Sequence, residues 1–152
     1  MTDSLVSQVN QKLYELELLI AHYQHLPQGD LASALAHAIQ SMFQHSILLF
    51  AQEIIDQSVI EVQSLPSLIN LSPTNRATLM PFAELLSAEE SWLSQILLTD
   101  NNFRSITQHT PESLIQNATK IPLVQEPTLS LSQCFAEFKD FVSLQRSLHQ
   151  EW

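Results

Sequence analysis

His45 and Glu53 frame the most apolar run of the chain, "HSILLFAQE" (45–53), and a further histidine, His37, stands just upstream. A histidine and a carboxylate on one buried helix could serve as metal ligands, as an acid/base pair, or as polar fittings of a core. On a helix the two lie about two turns apart and are offset by roughly 80°. Without partners from other helices, that separation rules out mutual hydrogen bonding and joint chelation. The preferred reading is a carboxylate at the edge of the core, satisfied by a neighbouring hydroxyl, an amide or Lys12. The alternative is a proton-transfer or ligand role for His45 and Glu53 in an internal pocket. A core-edge carboxylate predicts that Glu53→Gln changes stability by less than about 1 kcal/mol.

Other chemistries find fewer residues. A carboxylate-bridged di-iron bundle needs Glu-x-x-His on two helices, and no glutamate here is followed by histidine three residues later. HExxH is absent too. The pair His22 and His25 falls at a helix end and reads as a solvated face, so no metal, cofactor or catalytic residue is assigned. Cys134 shares an apolar stripe with Phe135 and Phe138, where a free cysteine behaves as a small hydrophobe. Trp92, Phe138 and Phe141 suit a core better than a cofactor box. As contacts for a partner, Trp92 and the terminal Trp152 are the candidates.

Composition narrows the classes further. The chain of 152 residues has one glycine, Gly29, so neither a phosphate-cradling P-loop nor a GxGxxG turn can form. Six Lys and Arg against sixteen Asp and Glu give a formal net charge of −10. The basic residues are scattered singly, which argues against nucleic acid and anionic membrane as partners. "MTDSLVSQVNQK" lacks the basic and apolar regions of a secretory signal, and no apolar run has membrane-spanning length. With Cys134 alone, no internal disulfide is possible, and a cytoplasmic location is expected.

The elements that must position these residues read as helices throughout. Leu5, Val9, Leu13, Leu16, Leu19/Ile20 and Tyr23 make an amphipathic stripe that starts near Ser4 and stops before Pro27. Asp30 can cap a second helix that runs from about Leu31 into the low sixties. Its first half turns Leu35, Ala38, Ile39, Met42 and Phe43 to one face, with His37, Gln40 and Gln44 opposite. Its second half groups Ala51, Ile54, Ile55 and Val62 on another side. With neither Gly nor Pro between 31 and 65, this reads as one unbroken central helix. Ser72-Pro73 fits a cap followed by proline at the first helical position. Pro81 kinks that segment or opens a helix to about Leu98, with a break near 87 also open because Ser87–Glu90 fits a capping box. A short helix from Thr110 to Lys120, a linker "IPLVQEP" and a last helix from Thr128–Ser132 onward complete the chain. The expected fold is a single all-α domain (1–152), an antiparallel helical bundle of four long helices plus two short ones.

Three stretches carry a resemblance: "VNQKLYELEL" (9–18), "FQHSILLFAQEI" (43–54) and "LQRSLHQEW" (144–152). Together they resemble a family of small all-helical gammaproteobacterial proteins of unknown function. That family has an Asn-Gln-Lys-aliphatic-Tyr near the N-terminus, a long helix ending in Glu-Ile and a closing Gln-Arg helix. The resemblance implies a bacterial cytosolic helical protein and transfers no functional residues. The functional expectation is therefore a protein–protein interaction or adaptor module without catalytic activity, acting on a protein partner or by self-association, a homodimer included.

Overall fold

A computed structural model describes residues 4–56, 64–97 and 129–150. Of these, 83% are helical, in seven helices of which four have seven residues or more, and none is in a strand. The protein is all-α. The expected helix at 110–120, the linker after it and Trp152 lie outside the described residues.

Helix α1 (Leu5–Gln24) opens at Ser4, whose hydroxyl accepts from the Ser7 amide at 3.2 Å. The expected stripe is the buried one: Val9, Leu16 and Ile20 are buried, and Leu5, Leu13, Leu19 and Tyr23 pack around them. α1 packs most extensively against α2 (Asp30–Ile55). Gly29 rather than Asp30 is the N-cap of α2, and Asp30 occupies the first turn, where a carboxylate complements the helix dipole.

α2 runs unbroken through residues 44–46 but stops at Ile55, short of the low sixties. Asp56 adopts the left-handed conformation (φ 53°, ψ 41°), and its amide donates to the carbonyls of Gln52 and Glu53. Aspartate tolerates this geometry better than most residues, so the helix ends without Gly or Pro. Burial spreads round α2 more widely than a two-face pattern allows. Gln40, expected on the polar face, is 2% exposed, whereas Ala38 is exposed. The reason is a third neighbour on that side: the Gln40 and Gln44 side-chain amides both donate to the Ile96 carbonyl at 3.1 Å.

Helices α3 (Leu65–Ile69) and α4 (Pro73–Thr78) each follow a serine cap and carry proline in the first turn. α5 (Met80–Ser87) and α6 (92–97) are separate helices. The Ser87–Glu90 box is not the cap of α6. Ser87 donates to the Ala83 carbonyl, and Ser91 accepts from the Ser94 amide. The break survives burial because Ser91 and Ser94 both donate to the Leu85 carbonyl, and Ser94 reaches Leu86 as well. These are carbonyls that the end of α5 leaves without helical partners. Asn75 adds a side-chain donor to the Leu68 carbonyl at the end of α3, which the Leu71 amide also reaches. Part of the uncharged polar content thus closes helix ends that glycine closes in other folds.

α7 (Leu131–Gln150) opens with a reciprocal cap. The Gln133 amide donates to the Ser130 hydroxyl at 3.2 Å, and the Ser130 amide donates to Gln133 Oε1 at 2.9 Å. Ser130→Ala is expected to cost about 1 kcal/mol, read as a lower urea midpoint at unchanged slope. α7 turns Leu131, Cys134, Phe135, Phe138 and Val142 into the core. There Phe138 lies 5.3 Å from both Phe43 and Trp92, centroid to centroid. One hydrophobic cluster draws on every described helix except α4.

Candidate functional site

Glu53 has the least exposed side chain of any ion-pairing residue among the described residues, and its partner is neither Lys12 nor His45. Glu53 sits in the last turn of α2, at the negative end of the helix dipole, where a carboxylate is disfavoured. Arg146 of α7 compensates with a forked contact, Nε to Oε1 at 2.8 Å and Nη2 to Oε2 at 2.9 Å. Bidentate guanidinium–carboxylate pairs are the strong, geometry-specific ones. The Glu53 side chain is 9% exposed and that of Arg146 23%. A third helix joins through Asn10 of α1, whose Oδ1 accepts from Arg146 Nη1 at 2.8 Å. The guanidinium also lies 5.9 Å from the Phe50 ring centroid. The cluster therefore ties together α1, α2 and α7, with the carboxylate and the guanidinium engaged by each other.

The expected polar set does not assemble. His45 is exposed on α2. Lys12 pairs with Glu15 along α1 at 3.0 Å, and that hydrogen bond holds the Glu15 carboxyl below its ordinary range. Neither of two surface grooves bounded by described residues is lined by His45 or Glu53. Trp92, expected as a surface contact, is 3% exposed and packs on Phe43, Phe138 and Phe141. It faces inward because α6, capped by Ser91, packs on α2 and α7. Among the described residues, no group of three or more His, Cys, Asp or Glu is placed to hold a metal ion.

Cys134 is buried, and burial, followed by the charge of Glu137, pushes its thiol from the ordinary 9.0 up to about 11. A raised folded value means that the protonated thiol favours the fold. This contribution is complete below about pH 9 and is lost as pH rises through about 11. Urea titrations across that window should show a loss of roughly 2 kcal/mol that Cys134→Ala does not share. The native thiol should also react with disulfide reagents only as the protein opens.

The larger groove, about 620 Å³ and open to solvent, lies between α4–α5 and the last turns of α7. Ala77, Thr78, Met80, Pro81 and Leu148 form most of it, with Glu84, Gln145 and His149 as its polar members. Met80 is 57% exposed and Leu148 48%. One turn back on the same face of α7, Leu144 is 56% exposed.

The model of a family of unknown function, DUF6586, matches residues 1–152. The chain belongs to this family. No curated protein and no solved structure matches it. The DUF6586 match extends to the whole chain a resemblance carried by three short stretches. Each of those stretches supplies one member of the ion-pair cluster: Asn10, Glu53 and Arg146. Asn10 and Arg146 join Glu53 without a signal in the sequence, because periodicity within one helix carries no register to another. No helix among the described residues of this DUF6586 chain is long and apolar enough to cross a membrane.

Proposed function

We propose that this protein is a small cytosolic interaction module that engages a protein partner through its helical surface. The observation that carries the reading is the open apolar groove at the α4–α5/α7 edge, where Met80 and Leu148 stand exposed beside Leu144. Large apolar side chains gathered in one concave place are what contact surfaces of soluble proteins use. The polar residues that an internal reaction site would need are otherwise placed. Glu53 is committed to Arg146, and His45 faces outward. A single buried thiol suits a reducing compartment.

The test compares wild type with Met80→Ser/Leu148→Ser, both made in the native host and captured after crosslinking. Both side chains are exposed, so the helical circular dichroism of the variant should match wild type. Proteins recovered with wild type and lost from the variant are the expected result. Equal recovery on both would place the contact surface elsewhere and overturn this assignment.

A further inference from the structure

The groove also constrains the chemistry of what it takes. We infer that it is a docking site for a cationic amphipathic helix of a protein partner, an inference that rests on the interaction-module reading. Its lining is mostly apolar, with Ala77, Met80, Pro81 and Leu148 beside the methyl-bearing Thr78. A trough this open would leave a small ligand mostly in water, whereas pockets for small molecules enclose most of their ligand. An amphipathic helix instead inserts side chains one turn apart. Leu144 and Leu148, about 6 Å apart along α7, extend the apolar lane in that register.

Charge selects among the possible occupants. The only carboxylate in the groove is Glu84, and among the described residues no lysine or arginine pairs with it. Three of the four described cations are paired with carboxylates elsewhere, Lys12 with Glu15, Lys139 with Glu17 and Arg146 with Glu53, while Arg76 hydrogen-bonds the neutral Asn70. A second copy would bring a net charge of −10 against −10, a repulsion that opposes self-association. A lysine- or arginine-bearing helix reverses that sign and is steered toward the surface.

The experiment is fluorescence anisotropy with the full chain and a fluorescein-labelled amphipathic leucine–lysine peptide. A leucine–glutamate peptide of the same pattern and a scrambled leucine–lysine peptide serve as controls. Binding by the first alone is expected. Met80→Ser/Leu148→Ser should weaken it by about tenfold or more, as loss of central anchors does. Glu84→Gln should weaken it by about threefold and flatten its salt dependence. Equal binding of the glutamate peptide, still dependent on Met80 and Leu148, would overturn the inference while leaving the groove as a docking surface. Binding indifferent to Met80 and Leu148, or no binding at all, would overturn the inference and the groove assignment together. Dimerisation in sedimentation velocity that Met80→Ser/Leu148→Ser abolishes would replace the cationic helix by a second copy.

Discussion

Replacing Phe138 by alanine is expected to lower the unfolding free energy by about 4 kcal/mol, the middle of the range for a buried aromatic. The ring is fully buried and lies 5.3 Å from Phe43, 5.3 Å from Trp92 and 6.3 Å from Phe50. It therefore touches both α2 and α6, as Phe141 one turn further along α7 also does. Truncation removes its transfer free energy and leaves a void lined by three aromatic rings, which cannot shrink without moving whole helices. Against a total stability of about 5–15 kcal/mol for a domain, such a loss can unfold the protein near body temperature. Phe138→Leu should cost roughly 1–2 kcal/mol, since most of the volume remains. Leu144→Ala, on the same helix but 56% exposed, should stay within about 0.5 kcal/mol. Urea unfolding followed by circular dichroism and tryptophan emission reads all three. Equal costs for Phe138→Ala and Leu144→Ala would mean that α7 does not pack on α2 as described.

Arg146→Ala should cost roughly 2–3 kcal/mol. Removing one partner of a buried pair leaves an uncompensated charge, worth about 3–5 kcal/mol when burial is complete. The 23% exposure of Arg146 lets water screen part of that. Its contacts to Asn10 and Phe50 are lost together with the pair. The structure also raises the expectation for Glu53→Gln from under about 1 kcal/mol to roughly 1–2 kcal/mol. The amide keeps one acceptor but turns an NH2 group toward a guanidinium that has only donors. Arg146→Lys keeps the charge and cannot make the fork, so it should fall between wild type and Arg146→Ala. The decisive measurement is a double-mutant cycle with Glu53→Leu and Arg146→Leu. The double variant should be more stable than the sum of the single losses allows, with a coupling of about 1.5 kcal/mol or more. Strict additivity would show that the pair contributes nothing beyond its two side chains.

Local order was determined by the sequence alone. The three- and four-residue recurrence of Leu5, Val9, Leu13, Leu16 and Ile20 defines α1 and its buried face, and Cys134, Phe135, Phe138 and Val142 do so for α7. Pro27 and Ser72-Pro73 placed helix limits that the structure keeps, and the lack of Gly or Pro foretold the unbroken run of α2 through residues 44–46 but not its end at Ile55. Such signals work because periodicity and capping involve residues within one or two turns of each other. Wherever a partner from another helix decided the outcome, the tertiary structure alone supplied it. Gln40 has the polarity of a surface residue, yet it is buried because the Ile96 carbonyl, 56 residues away, lies within reach of its amide. Trp92 turns inward because α6 packs on α2 and α7. Glu53 takes Arg146, 93 residues distant, rather than Lys12, and Arg146 reaches Asn10 across 136 residues. A helical pattern states which side of a helix avoids water, but it carries no register between helices. Which carboxylate meets which guanidinium therefore depends on how the helices slide and cross once their apolar faces pack.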